Sequence, residues 1–320
     1  MDTIKEICEI LKNRNNFGIC THYEPDGDAI GSLLALKLAL LKADKKVKAF
    51  SPTPLVEPYQ PYLLEFSDVI IGLPPDNEFD VLIFVDCSNV KRLRPDGSYS
   101  PKADCIIDID HHADNTMFGD FNLVRPYSPA CAEIIYEVIQ ELNQYIDRQI
   151  ATCLYVGLIT DTGKFAYSST TARTLEIASD LLKRDIKPDI LNSLVYEQES
   201  IETFHLLGEA MANLKNSEDG KIIWASVTKE MLLKTGAIEE NADIIIEEMR
   251  LVKGAKVFLS FRESDEGRIK VSLRSKEGFP VDQIAHIFGG GGHPAASGCR
   301  LKATLKKAEE MVVNEIKKLM

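Results

Sequence analysis

The sequence predicts an α/β protein in two parts, a first domain on a largely parallel sheet and a smaller α+β second domain. Through roughly the first 180 residues, short apolar runs, FGIC (17–20), KVKAF (46–50), DVLIFVD (80–86) and ADCIIDID (103–110), alternate with amphipathic segments, as strands joined by helical crossovers do. Beyond NSEDGK (216–221) the pattern turns β-rich, with KIIWASVT (221–228), AKVFLSFRES (255–264) and RIKVSLRS (268–275) reading as strands. At 320 residues and 45% hydrophobic content the chain is long enough for two cores.

Taken in order, MDTIKEICEILKNRNN (1–16) is a charged amphipathic helix rather than a signal peptide. No stretch approaches the roughly 20 apolar residues of a membrane span, so the expected location is the cytoplasm, with no membrane partner. After the first strand, LLALKLALL continues as helix. Helical patterns at ATCLYVGLITD (151–161) and TARTLEIASDLLKR (171–184) complete a first domain of residues 1–187, which ends at the Pro-containing RDIKPDI. Residues 188–215 are expected to be a helical linker that includes ESIETFHLLGEAMANLK (199–215), and residues 216–320 the second domain, with helices at ENADIIIEEMR (240–250) and LKKAEEMVVNEIKKLM (305–320).

The net charge of −12, from 49 acidic and 37 basic residues, opposes a sequence-independent grip on long duplex DNA, which needs many Lys and Arg to neutralise phosphates. Short or small phosphorylated substrates, held by a local positive pocket, are compatible with it. Seven cysteines, at 8, 20, 87, 105, 131, 153 and 299, form no CxxC pair, and their odd number argues against a disulfide framework or zinc finger. They read as small buried apolar residues.

Each apolar run of the first domain is followed by a polar or acidic residue, and in such sheets ligands bind at the carboxyl ends of the strands. THYEPDGDAIGS (21–32) places His22, Asp26 and Asp28 in one strand-to-helix loop, where carboxylates two residues apart can offer an oxygen to each of two adjacent cations. Either carboxylate could instead cap the helix. Gly27 permits a tight backbone there and Gly31 close packing. Asp86 ends a run too apolar to be anything but a buried strand, where a carboxylate is costly unless paired or metal-bound. DIDHHADN (108–115) sets Asp110, His111 and His112 after the next strand, and GLITDTGKFAYSSTT (157–171) ends an apolar helix on Asp161. The strand-end rule brings His22, Asp26, Asp28, Asp86, His111 and Asp161 to one edge of the sheet.

In that order, PDGDAIGS, the strand-end VD, the DHH triplet and TDTG resemble motifs one to four of the DHH phosphoesterases. The resemblance implies a site for two Mn²⁺ ions, with Mg²⁺ or Co²⁺ as substitutes: His22 and Asp26 on one ion, Asp28, His111 and Asp161 on the other, and Asp86 bridging both. A carboxylate-rich set with a little imidazole and no thiolate suits a hard octahedral ion and disfavours tetrahedral zinc. Asp110 becomes the orienter of its neighbouring histidine, and the resemblance makes His112 a substrate-phosphate contact or leaving-group acid. In the second domain, FPVDQIAHIFGGGGHPAASG (279–298) resembles the GGGH motif of the DHH-associated domain, and VSLRS (271–275) is similar to an Arg-Ser element that grips a substrate's distal phosphate. Arg274, Ser275, Gly290, Gly291, Gly292 and His293 are therefore the expected substrate-binding residues, the glycines because N–H groups approach a phosphate closely where no Cβ stands in the way. His205 and His286 fall in amphipathic helices and read as structural.

The two-domain layout without nuclease extensions is most similar to the nano-RNase/pAp-phosphatase subgroup. It implies metal-assisted hydrolysis of short oligonucleotides (nanoRNA), dinucleotides or 3′,5′-bisphosphate nucleotides such as pAp, in a cleft between the domains, and it is compatible with a homodimer. A cyclic di-AMP or linear dinucleotide phosphodiesterase shares every motif above. A pyrophosphatase or exopolyphosphatase is more distant, because those relatives carry a different second domain. A non-catalytic nucleotide sensor would have no use for the complete ligand set.

Overall fold

The computed structural model describes residues 3–55, 68–94, 96–264, 267–276 and 278–320, with the backbone alone at 293. The chain divides into two compact units, Met1–Gln198 and Glu199–Met320.

The first unit opens with helix α1 (Thr3–Asn13), which buries Ile4, Ile7, Cys8 and Leu11 on one face at helical spacing. Its sheet comprises β1 (Asn16–Cys20), β2 (Lys46–Ser51), β3 (Ile70–Ile71), β4 (Val81–Val85), β5 (Cys105–Asp110) and β6 (Phe121–Val124). They lie in the order β3-β2-β1-β4-β5-β6 and pair in parallel throughout. Every residue of β4 is buried, as the apolar run VLIFV requires of a strand covered on both faces. The chain leaves β1 toward β2 and later returns to its other side as β4, and that reversal opens a crevice beyond the carboxyl ends of β1 and β4. The loops carrying His22, Asp86 and His111 begin there.

Helix α2 (Gly27–Lys42) follows β1, and α3 (Cys131–Glu141), α4 (Arg148–Asp161), α5 (Ala172–Leu182) and α6 (Pro188–Tyr196) follow β6. Apolar on all sides, α2 is buried from Gly27 to Leu40 and packs along α4. Gly31 sets the approach, since a Cβ there would lie 2.4 Å from the Cys153 carbonyl oxygen. On the facing helix, a Cβ at Gly157 would come within 2.7 Å of Asp28 Oδ1. The packing therefore holds the first turn of α2 beside the last turn of α4, and brings Asp28 and Asp161 together.

The second unit contains α7 (Ile201–Ala212), β7 (Lys215–Asn216), β8 (Ile222–Val227), α8 (Lys229–Thr235), α9 (Asp243–Met249), β9 (Val257–Glu263), β10 (Ile269–Ser275), α10 (Val281–Ile287), β11 (Gly291–His293), β12 (Ala296–Leu301) and α11 (Leu305–Leu319). Its sheet runs β11-β12-β10-β9-β8-β7, with β8 and β9 parallel and the other pairs antiparallel. One face packs Val257, Leu259, Phe261, Val271 and Leu273 against Val312 and Ile316 of α11. On the other face Ile223, Ala225 and Phe258 meet Leu206, Ile245 and Met249.

The expected α/β class and both sheets are present. Sequence reading assigned no strand to β6 or to the β11–β12 hairpin, because FNLV is short and the Gly-rich run lacks the alternation that marks a strand. The helix expected over 199–215 ends at Ala212, and the one over 240–250 divides into a 3₁₀ turn (Glu239–Ala242) and α9. Gly27 is not a turn glycine but part of α2, where a Cβ would meet Thr160 Cγ2 at 2.4 Å. All seven cysteines are free and buried. Among the described residues, no helix is long and apolar enough to cross a membrane.

Because Gly31 faces a backbone carbonyl that cannot step aside, Gly31→Ala should force α2 and α4 apart. The expected result in thermal unfolding is a loss of about 1–3 kcal/mol and a midpoint several degrees lower. An unchanged midpoint would mean that the helices do not need this approach.

Candidate metal centre

The site is built at the carboxyl edge of the first sheet. Asp26 is the N-cap of α2, and its Oδ1 accepts the N–H groups of Asp28 and Ala29, each at 3.1 Å. Asp28, two residues on in the first turn, is 0% exposed. Its Oδ2 accepts the Cys131 N–H at 2.6 Å, and its Oδ1 accepts the Ala132 N–H at 2.9 Å and the Ser32 hydroxyl at 3.2 Å. Helix α3 has no side-chain cap of its own at Ala130, so Asp28 caps it across the fold.

The histidines are fixed by the carbonyls behind them. His22 Nδ1 lies 2.8 Å from the Tyr23 carbonyl oxygen, and His111 Nδ1 lies 3.2 Å from that of Ser128. A carbonyl only accepts, so in each ring Nδ1 carries the proton and Nε2 presents its lone pair inward, as metal-ligating histidines do. His22 Nε2 is buried with no hydrogen-bond partner and stands 3.6 Å from Asp86 Oδ2. His111 Nε2 lies 3.2 Å from Asp161 Oδ2, 3.3 Å from Asp86 Oδ1 and 3.9 Å from Asp28 Oδ2. Asp86 directly follows β4, and a backbone φ of 54°, in the left-handed region that side chains avoid, turns its carboxylate into the middle of the group.

Three overlapping sets of converging donors result, His22–Asp26–Asp86, Asp28–His111–Asp161 and Asp86–His111–His112, with the donor atoms of each set within 4.8 Å of one another. Neighbouring donors of an octahedral cation with bonds near 2.0–2.1 Å stand about 3 Å apart, close to the spacings around His111. The partnerless His22 Nε2 and Asp86 Oδ1 are atoms that a cation would satisfy. Oxygen and imidazole dominate the set, and burial pushes the nearby thiols of Cys20, Cys87 and Cys131 upward, away from thiolate. The residues fit one or two hard divalent ions.

His112 is arranged differently. Its Nδ1 lies 2.8 Å from Asp110 Oδ1 and 3.6 Å from Asp86 Oδ1, and its Nε2 lies 3.0 Å from Arg92 Nη1, which takes up the Nε2 lone pair. Asp110 Oδ2 accepts from Asn115 Nδ2 at 2.7 Å, and the same amide reaches Asp108 Oδ2 at 2.9 Å. Asp110 is thus placed to orient His112.

Without a cation the cluster is electrostatically frustrated. Burial, then the charges of Asp86 and Asp26, push the Asp28 carboxyl far upward against the pull of the Ala132 and Cys131 amides. Burial, then Asp28 and Asp86, raise Asp161. Burial opposes the charge of Asp86, but contacts with His111 and His22 prevail and hold its carboxyl far below the usual range. His111 shows the same balance from the other side: burial works against its protonation, and Asp86 more than restores it.

In the second unit, Arg274 Nε donates to Glu247 Oε1 at 2.8 Å, and the Ser275 hydroxyl donates to the Phe279 carbonyl at 2.6 Å. Gly291 and His293 pair with Gly298 and Ala296 in the β11–β12 hairpin. A Cβ at Gly290 would lie 2.1 Å from the Gly298 oxygen, and one at Gly292 would lie 2.6 Å from that of Ala296. Packing alone therefore requires two of the four glycines. Sequence reasoning missed Arg92, Asn115, Ser128 and the amides of Cys131 and Ala132. Asn115 carried a signal, as the amide that ends DHHADN; the others are set by tertiary register and carried none.

Residues 16–158 match the DHH family, N-terminal domain, and residues 219–320 match the DHHA1 domain. The bifunctional oligoribonuclease and PAP phosphatase NrnA of Thermus thermophilus is 32% identical over 319 residues, covering 99% of this chain and 94% of the relative. The crystal structure of an exopolyphosphatase-related protein from Bacteroides fragilis superposes with a TM-score of 0.90 at 28% identity, over 99% of this chain and 97% of that one. The exonuclease RecJ of Thermus thermophilus, solved with Mn²⁺, shares the fold at a TM-score of 0.55 and 16% identity, over 99% of this chain and 55% of RecJ.

These electrostatic shifts give the metal-free protein a definite pH response. Asp161 is pushed up to about 9, Asp28 is also raised, and His111 is raised to about 9. In each case the folded chain binds more protons than the unfolded one, so stability is lost as pH rises through this range. Asp86, shifted downward, acts only in acid. In EDTA the melting temperature should therefore fall between pH 6 and about 9, and added Mn²⁺ should stabilise most at the alkaline end. A metal-free protein that gained stability over that interval would contradict the electrostatic account.

Proposed function

The chain belongs to the DHH family and is a phosphoesterase, and we propose that it uses two divalent ions, manganese foremost, to hydrolyse short oligonucleotides, dinucleotides and 3′,5′-bisphosphate nucleotides such as pAp. The observation that carries this reading is the pair of donor sets meeting at Asp86. His22, Asp26 and Asp86 would hold one ion, and Asp28, His111 and Asp161, with Asp86, the other. Such ions, when bound, lower the pKa of an attacking water and neutralise charge on phosphoryl oxygens.

The chain's own residues do the rest. Tyr23 and Ser128 carbonyls fix the two imidazoles in the ligating tautomer. The amides of Cys131 and Ala132 favour the charged form of Asp28 and offset part of the cost of its burial. Asp110 orients His112, and we assign this pair to the catalytic machinery, His112 acting through the Arg92 side chain that it holds. In the second unit we assign substrate binding to Arg274, Ser275, Gly290, Gly291, Gly292 and His293. This assignment rests on the family resemblance, with Glu247 as a competing partner that Arg274 would share with or yield to a phosphate.

The experiment is to offer pAp, 5′-pApA, oligonucleotides of graded length, cyclic di-AMP and pyrophosphate to the purified protein with Mn²⁺ and to compare rates. Dinucleotides and pAp should be preferred and EDTA should abolish turnover; full activity in excess EDTA would end the metal hypothesis. Asp86→Asn should remove nearly all activity together with bound metal, measured as Mn²⁺ per chain. Arg274→Ala should lower kcat/KM by roughly 10- to 150-fold on dinucleotides, mostly through KM, the value of one charge-assisted hydrogen bond. It should leave an activated aryl phosphate nearly unaffected, and equal losses on both would assign Arg274 to the fold instead.

A further inference from the structure

We propose that Arg92 contacts the phosphoryl group undergoing transfer, aimed there by the chain Asn115–Asp110–His112. The proposal rests on the phosphoesterase reading above and names the side chain that meets the substrate's charge.

Arg92 closes the 3₁₀ turn Val90–Arg92, a few residues beyond Asp86. The turn is held at both ends. Asn89 caps it, accepting the Lys91 N–H at 3.0 Å, and the Arg92 carbonyl accepts the N–H of Tyr23, the neighbour of His22, at 2.6 Å. The backbone of Arg92 is thus tied to the loop that carries one donor set. Its side chain turns to His112, with Nη1 3.0 Å from Nε2. Among the described residues no carboxylate forms an ion pair with it, which is unusual for an arginine beside so many aspartates.

Proton accounting then fixes the roles. Arginine can only donate, so His112 Nε2 accepts, and His112 Nδ1 is the nitrogen that donates to Asp110 Oδ1 at 2.8 Å. A neutral imidazole bonded in this way has no donor left for a phosphate oxygen. The guanidinium has one N–H engaged and a planar fork of others, the geometry that matches two oxygens of a phosphoryl group. Charge points the same way. Two divalent ions balance Asp26, Asp28, Asp86 and Asp161, so a phosphodiester and an attacking hydroxide arrive with negative charge that none of these residues neutralises. Arg92 is the cation at hand. His112, held through Asp110 and Asn115, acts as a positioning residue for it.

The test uses the full chain with Mn²⁺ and compares wild type, Arg92→Ala and Arg92→Lys on 5′-pApA and on bis(p-nitrophenyl) phosphate. Both substrates place a scissile phosphoryl at the metals, so Arg92→Ala should lower kcat about 10²- to 10³-fold on each, with a smaller change in KM. Arg92→Lys should recover part of the loss, and free guanidinium should restore activity to Arg92→Ala but not to wild type. Calorimetric titration should still give the wild-type number of Mn²⁺ per chain, and inorganic phosphate should bind the Mn²⁺-loaded Arg92→Ala protein about tenfold more weakly. Retention of more than half the wild-type kcat by Arg92→Ala, or a loss that tracks missing metal in both variants, would overturn the proposal. A wild-type protein inactive on every substrate would instead sink the phosphoesterase reading on which it rests.

Discussion

Carboxylates packed side by side in a dry crevice repel one another and resent their burial, and the first unit is organised around that conflict. Asp86 is its centre. It ends the most buried strand of the sheet, sits 2% exposed in a left-handed backbone conformation, and meets His22 and His111 from opposite sides. Left-handed geometry at a non-glycine residue costs about 1–2 kcal/mol, and a buried carboxylate costs more unless something positive meets it. A fold that retains both costs at one residue holds it for chemistry rather than for stability.

The neighbouring elements are arranged to make that centre tolerable. The parallel order of the strands opens a crevice where the chain reverses beside β1, so three strand ends deliver their loops to one place. Close packing of α2 on α4 through Gly31 and Gly157 adds the two remaining carboxylates, Asp28 and Asp161. Asp28 then serves two purposes, capping α3 in place of a local side chain and facing the converging donors. Peptide dipoles stabilise its charge, but they do not cancel the repulsion from Asp86 and Asp26. Divalent cations would.

Much of this was legible in the sequence because strand-end position is a local property. An apolar run followed by a polar or acidic residue marks where a strand stops and a site begins, and that rule pointed to His22, Asp86 and His111, while Asp161, at the end of a helix, joined them through the motif order. Asp26 and Asp28 look alike in PDGD, and the sequence left open which of them caps the helix. The fold divides the work: Asp26 caps its own helix and Asp28 another one. Arg92 was invisible for a different reason. An arginine seven residues past a strand reads as surface, and only the register of β4 against β5 brings it to His112. The second unit shows the converse, since the Gly-rich motif was conspicuous yet Gly290 and Gly292 are explained by packing against β12. The ion pair of Arg274 with Glu247 depends on α9 folding beside β10, which no local pattern encodes.

The central claim is that Asp86 joins two cation sites into one centre. Crystals grown with Mn²⁺ and measured at its absorption edge test this most directly, because anomalous scattering locates the ions without assumptions about ligands. The account predicts two peaks roughly 3.5–4 Å apart, one against His22 and Asp26, the other against Asp28, His111 and Asp161, with Asp86 touching both. A single peak, or two that do not share Asp86, would contradict it.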